Sequence, residues 1–299
     1  MWGGKRKLMD IFLQAIINSL ASGSMYALIA IGYSLIVSTM DLTNFAQGEI
    51  FMVGAFFGLT FFVWLGLPFW LSFMLAVLAT AILACIIERL AYRPLYKAPI
   101  NYLLLSTIGV SILLKNAARI VWGTETFAFP SVLGDKPVYI GNLIIIPQNI
   151  WIIGVGIFFM IILSLFLKKT NFGTAMRAVS MNKLAASLMG IKLSMVTMCT
   201  MAISAALGAV SGVMMAPVFH VDASMGSLVG LKAFTAAVLG GYGDLRGAVI
   251  GGLTLGILET LGSRFISSNY RDAIAFIVLF IILFIRPQGI MGKAKVVKV

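Results

Sequence analysis

Nine stretches of this chain are apolar over lengths close to what a bilayer demands. A helix crossing a hydrocarbon core of about 30 Å needs about 20 mostly apolar residues. Candidate spans fall at Ile11–Val37, Phe45–Leu65, Phe69–Ile87, Tyr102–Val121, Ile150–Leu167, Ser194–Pro217, Leu228–Tyr242, Ala248–Ile266 and Ala273–Ile285. The stretch Leu228–Tyr242 is short and contains Lys232, so it is the weakest candidate for a full crossing. Composition excludes the soluble alternative. The 299 residues are 61% hydrophobic and 11% charged, against about 45–50% apolar and about 25% charged in soluble domains. The expected fold is an all-α polytopic bundle, a single domain over residues 1–299 with about 8–10 membrane segments, broken or re-entrant helices among them.

The formal net charge of +12 does not indicate a nucleic-acid partner, because the basic residues form no stripe. They cluster in short loops between apolar runs, as the positive-inside rule requires of a membrane protein. Arg89, Arg93 and Lys97 share one loop. Lys168, Lys169, Arg177, Lys183 and Lys192 lie in or beside a second, at about 168–193, and Arg286, Lys293, Lys295 and Lys298 occupy the tail. With all three groups cytoplasmic, the span count closes from residue 89 onward and the C-terminus is cytoplasmic. The segment at about 122–149 is then external; its Pro130, Gly134, Pro137, Gly141 and Pro147 suggest turns, with a hairpin around Lys136–Ile146. Before residue 89 the count fails. Three spans there put Lys5, Arg6 and Lys7 outside, so either the N-terminus is external or one segment does not cross. The first apolar run is too long for a signal-peptide core of about 7–15 residues and reads as a retained helix. The re-entrant candidate is Asn44–Leu65. Its polar opening, Asn44-Phe-Ala-Gln-Gly-Glu49, suits the protein interior better than lipid. A weak likeness between Asn44–Gly58 and Leu228–Gly243, both Gly/Ala/Phe-rich and interrupted by a charge, has the form of a repeat around a transport path.

Ionisable groups inside apolar runs are costly and usually face a cavity or a partner. Glu49, Lys115, Lys232 and Glu259 qualify. Glu49 and Lys232 suit either a path or a structural ion pair. Lys115 is expected to snorkel toward the interface, as are Glu88 and Arg119 near span ends. Pairs of glycines four apart (Gly54/Gly58, Gly208/Gly212, Gly247/Gly251, Gly252/Gly256) have the spacing of close helix crossings. The run Gly240-Gly-Tyr-Gly-Asp244 lacks the Lys-Ser/Thr ending of a phosphate loop and reads as a tight turn. Cys85 and Cys199 lie inside apolar runs and read as small hydrophobes. His220 has no nearby ligand cluster, so no metal site is expected.

In the second basic loop, Asn182 can cap a helix N-terminus and Gly190 can close the same helix in a left-handed conformation. Between them about two turns put Leu184, Ala185 and Leu188 on one face. Such a helix is too small to fold alone and needs the bundle or a partner. No Gly-x-Ser-x-Gly elbow, His-Glu-x-x-His helix or Walker A sequence occurs, so neither catalysis nor ATP binding by the usual loop is expected of this chain, and no cofactor.

Taken together, these residues resemble the permease subunits of branched-chain amino acid ABC importers. The resemblance runs nearly end to end. It is carried by Gly23-Ser-Met-Tyr-Ala-Leu-Ile-Ala-Ile-Gly-Tyr33 and by Asn44-Phe-Ala-Gln-Gly-Glu49, where family members often have His in place of Gln47. It continues through Met176-Arg-Ala178, Asn182, Ala186-Ser-Leu-Met-Gly-Ile191 and Gly230-Leu-Lys-Ala-Phe-Thr-Ala-Ala-Val-Leu-Gly-Gly241, and ends in Gly243-Asp-Leu-Arg-Gly-Ala248 and Arg286-Pro-Gln-Gly-Ile290. The resemblance implies a multi-pass protein of a prokaryotic cytoplasmic membrane. Its partners would be a second permease, two cytoplasmic ATPases and an extracytoplasmic binding protein. It implies that Arg177, Asn182, Leu184, Ala185, Leu188 and Gly190 belong to the ATPase-coupling region, and that Asn44, Gln47, Glu49, Lys232 and Phe234 lie near the translocation path. Related importers carry urea or amides, which keeps the substrate open. An ion-coupled secondary transporter would instead use Glu49 and Glu259 as intramembrane carboxylates.

Overall fold

The computed structural model describes residues 2–132, 134, 137–140, 143–265, 267 and 270–292. Eleven helices and one hairpin follow in order: α1 (Trp2–Met40), α2 (Gln47–Leu59), α3 (Phe69–Ile87), α4 (Ile100–Trp122), β1 (Val138–Ile140), β2 (Leu143–Ile145), α5 (Pro147–Lys169), α6 (Asn171–Met181), α7 (Lys183–Leu188), α8 (Leu193–Phe219), α9 (Met225–Gly240), α10 (Leu245–Phe265) and α11 (Arg271–Ile285). Among the described residues seven helical stretches are long and apolar enough to cross a membrane. With the 16 residues of α9 and the 15 of α11 they make nine segments, within the expected range. Helices α2 and α3 each run on through a π-helical turn, Thr60–Trp64 and Glu88–Tyr92. The hairpin pairs Val138 with Ile145; its turn, residues 141–142, lies outside the described residues.

Contacts across the bundle resolve the span count. Lys183 of α7 pairs with Asp41, just past the end of α1, at 2.8 Å. At the other end, Asn149 at the start of α5 donates to Asn18 of α1 at 2.8 Å. So α1 runs from the hairpin face to the α6–α7 face, and its N-terminal end lies opposite the basic loop. The re-entrant reading of Asn44–Leu65 is corrected by the same logic. Near the α6–α7 face Tyr92 donates to Asn44 at 2.9 Å. Beyond α2, Thr60 accepts from Trp122 Nε1 at the hairpin end of α4 (2.8 Å). This segment therefore connects both faces. What is irregular is its approach: residues 41–46 are non-helical before α2 begins. Ile290 and Met291, after α11, donate to the carbonyls of Leu239 and Gly240 at the end of α9. The described segment after α11 thus lies on the α6–α7 face; Lys293, Lys295 and Lys298 lie outside the described residues, as do the side chains of Lys5, Arg6 and Lys7.

Without a hydrophobic drive between helices in lipid, close backbone approach supplies the association energy. The glycine pairs do this here. A Cβ on Gly252 or Gly256 would strike the backbone of Ala27 or Gly23 on α1, and one on Gly54 the backbone of Ala209 on α8. Helix α1 is consequently the buried axis of the bundle, with Tyr26, Leu28, Ile29 and Ile36 fully enclosed. Helices α3, α4 and α5 stand outside it with large apolar side chains exposed along one face, such as Trp70, Met74, Leu78 and Ile82 on α3. The turn Gly240–Asp244 is as expected. Gly241 and Gly243 have φ of 120° and 95°, and Asp244 caps α10 by accepting from the Gly247 amide at 2.9 Å.

Two snorkelling expectations fail. The Glu88 side chain is fully buried and accepts from Tyr96 (2.9 Å) and Thr197 (3.1 Å). Its position in the π-turn of α3 aims it at α8 instead of at the interface. Lys115 also turns inward, as described below. Arg119 is exposed near the end of α4.

Candidate functional site

Asn44, Gln47 and Glu49 are all buried at the unwound approach to α2. Asn44 accepts from the Ala46 amide at 3.1 Å and from Tyr92, which ties the irregular backbone down as buried polar groups require. Gln47 donates through Nε2 to the carbonyl of Ser204 on α8 at 3.1 Å. Gly32 on α1 leaves room for both, since a Cβ there would lie 2.7 Å from Ser204 Oγ and 2.8 Å from Gln47 Nε2. Gly48 meets Gly226 and Gly230 of α9 backbone to backbone. The two short polar-interrupted segments singled out in the sequence therefore pack directly on each other.

That crossing brings three polar side chains together from three helices. Glu49 Oε1 accepts from Ser227 Oγ of α9 at 2.8 Å, and Ser227 accepts from Lys115 Nζ of α4 at 3.2 Å. Glu49 Oε2 makes no hydrogen bond among the described residues. Ser111, Lys115 and Arg119, one turn apart on α4, all lie near enough to act on the carboxylate. Sequence reasoning missed Ser227, because a serine in an apolar run carries no signal by itself.

Lys232 lies elsewhere. Its ammonium sits 2.7 Å from Glu259 Oε1 on α10 and 2.6 Å from Asp272 Oδ1 on α11, while Arg271 Nε reaches the same Glu259 oxygen at 2.6 Å. The side chains of Lys232 and Glu259 are 3% and 0% exposed, that of Asp272 49%. Two cations and two anions balance. The structure therefore separates Lys232 from Glu49. Phe234, two residues on, belongs to an aromatic cluster with Tyr33, Phe45 and Tyr242, ring centroids 5.5–6.4 Å away.

The basic loop folds as α6 and α7. The side chain of Asn182 accepts from the Ala185 amide at 3.0 Å, and Gly190 has φ of 85°, both as expected. Leu184, Ala185 and Leu188 are all exposed, and Ala186 is the residue turned inward. Met181 and Met189 extend the exposed apolar tip. Arg177 is exposed on α6 beside Thr174, to which it donates at 3.3 Å. Helix α6 itself was not foreseen. Its start is capped by Thr170, which accepts from the Gly173 amide at 3.0 Å, an ST-type signal visible in the sequence.

A family model described as "Branched-chain amino acid transport system / permease component" matches residues 15–283. The chain belongs to this family. Among its relatives is the high-affinity branched-chain amino acid transport system permease protein LivH of Escherichia coli, 37% identical over 96% of this chain and 98% of that one. Permease protein BraD of Pseudomonas aeruginosa is 38% identical over the same shares. A solved structure of PsaBC from Streptococcus pneumoniae in complex with a Fab shares the fold, with a TM-score of 0.50 at 17% identity, covering 93% of this chain and 92% of that one. The relatives are transport permease subunits.

Proposed function

We propose that this protein is the membrane-spanning subunit of an ATP-driven importer for branched-chain amino acids. The observation that carries the reading is the tip of α7. Leu184 and Leu188 on this six-residue helix, which has no core of its own, and Met181 and Met189 just beyond its two ends expose four large apolar side chains together. Scattered surface hydrophobes need no explanation, but an apolar tip on a capped, basic loop marks a docking point. The family membership supports a cytoplasmic ATPase as the partner, two copies of which would serve this chain and a second permease. The Lys183–Asp41 pair then ties the docking point to the end of α1, the axis of the bundle. Movement of the ATPases would reach the buried crossing of α1, α2 and α9 through that helix.

On this reading the α6–α7 face and the C-terminus are cytoplasmic, in keeping with the positive-inside rule. The hairpin face then receives the binding protein. The two states of the bundle differ in which face is open, and ATP acts by favouring one of them. An apolar path suits an aliphatic side chain, and the buried charges of Lys232 and Glu259 are held in an internal ion-pair group.

The deciding experiment is uptake of labelled leucine into proteoliposomes. They would hold this chain, its sister permease and the ATPases, with binding protein on the opposite face to ATP and an uncoupler throughout. Uptake that requires both ATP and binding protein is expected. Uptake that ignores ATP and collapses with the ion gradient would replace the importer with a secondary transporter. Stimulated ATP hydrolysis without leucine uptake would keep the architecture and change the substrate.

A further inference from the structure

Lys115 lies seven residues from the end of α4 at Trp122, about 10 Å into the membrane at 1.5 Å per residue. A lysine facing lipid at that depth extends its stem toward the nearer interface. This one is held by a neighbouring helix instead. Its ammonium turns across to Ser227 on α9, whose hydroxyl in turn donates to Glu49. The lysine is only half-buried, Asn116 beside it is exposed, and one carboxylate oxygen of Glu49 has no hydrogen bond among the described residues. A buried carboxylate joined to a half-buried hydroxyl and a half-buried ammonium is not a lipid surface, because hydrocarbon offers no partner for the row's unused donors and acceptors.

What lies beside the row is equally specific. From Ser227 the outer face of α9 continues through Leu228 and Leu231, 41% and 47% exposed, to Phe234. Phe234 meets the half-exposed ring of Phe45 at 6.4 Å. Helix α9 runs from the hairpin face toward the α6–α7 face, so this apolar ladder leads from the polar row toward the cytoplasmic side.

We propose that Glu49, Ser227 and Lys115 are the substrate-contacting polar row of the translocation path. The α-ammonium of a passing amino acid is taken by Glu49 and Ser227, its α-carboxylate by Lys115, and its aliphatic side chain by Leu228 and Leu231. The inference rests on the importer reading above and deepens it by naming the contacts. When empty, the row pairs one acidic and one basic side chain, bridged by Ser227. A zwitterion can insert by exchanging that bridge for two equivalent ones, so binding is reversible and no net charge is stranded in the membrane. An ammonium or a carboxylate alone would leave one member of the row unpaired, which in a low-dielectric site is penalised.

Two measurements on the full assembly test this, and wild-type uptake in the same preparation reports separately on the importer reading. In the first, Ser227→Cys is placed in a background with Cys85 and Cys199 replaced by alanine. A charged, membrane-impermeant methanethiosulfonate is expected to modify it, and not to modify Leu78→Cys on the lipid-facing side of α3. Equal, negligible reactivity at both positions would overturn the proposal, since the row would then not be in an aqueous path. In the second, Lys115→Met is expected to lower leucine uptake about tenfold or more, the value of one lost hydrogen bond to a charged group, with Lys115→Arg recovering most of it. Uptake by Lys115→Met within a factor of about two of wild type, less than one such bond is worth, would equally overturn it. The thiol measurement needs no lysine variant to fold, so the proposal stays open to refutation whichever variants accumulate.

Discussion

Replacing Lys232 by methionine removes one cation from a group that is otherwise neutral and leaves Glu259, which is fully enclosed, with Arg271 as its remaining partner. Breaking a buried ion pair from one side costs about 3–5 kcal/mol, because the other charge stays desolvated. Here the lower end, about 3 kcal/mol, is expected, because Arg271 remains at the same oxygen and the other lost partner, Asp272, is half in solvent. Glu259→Leu should cost a similar amount, because it takes from Arg271 its carboxylate partner and leaves buried Lys232 with Asp272 alone. The double variant Lys232→Met/Glu259→Leu removes both buried charges and replaces them with apolar side chains of similar length. Its cost should fall well below the sum of the singles, with a coupling of about 2 kcal/mol or more. The assay is a double-mutant cycle on unfolding free energy in detergent micelles or bicelles, read beside the amount of protein reaching the membrane. Single variants that each cost less than about 1 kcal/mol, or costs that simply add, would refute the view that this group locks short α9 to α10 and α11. Normal stability with lost uptake would place Lys232 in the translocation path instead.

Three further outcomes are expected. Leu184→Asp with Leu188→Asp should change stability by no more than about 0.5 kcal/mol, as for exposed sites, yet abolish uptake per ATP hydrolysed; normal coupled uptake would remove the docking role of α7. Gly48→Ala should destabilise the protein by about 1–3 kcal/mol, typical of overpacking, because its Cβ would lie 2.8 Å from Gly230 Cα and strike the Gly226 carbonyl; thermal unfolding indistinguishable from wild type would contradict that crossing. In intact cells an impermeant maleimide should label Glu125→Cys on the hairpin face, but Ser187→Cys only after permeabilisation, and the reverse pattern would invert the orientation proposed here.

Much of the architecture was legible in the sequence because lipid imposes a one-dimensional rule. A helix in hydrocarbon must be about 20 residues long and apolar, and that demand is local. For the same reason the cap at Asn182, the left-handed Gly190 and the Gly240–Asp244 turn could be read, each being a matter of a few neighbouring residues. Glycines four apart announced close crossings, though not which helix each would meet. Side-chain direction was less accessible. Glu88 and Lys115 both lie where a stem could reach the interface, and only the presence of Tyr96 and Thr197, or of Ser227, turned them inward.

The sequence by itself determined the membrane fold, the number of segments within narrow limits, the basic loop with its capped helix, and, through end-to-end motifs, the family. The tertiary structure alone decided that Glu49 meets Lys115 through a serine, that Lys232 is spent on Glu259 and Asp272, and that α1 starts on the hairpin face. Partners 27 to 178 positions apart are chosen by how nine membrane segments cross, and crossing is set by the combined shape of many small contacts. No local run of residues encodes it.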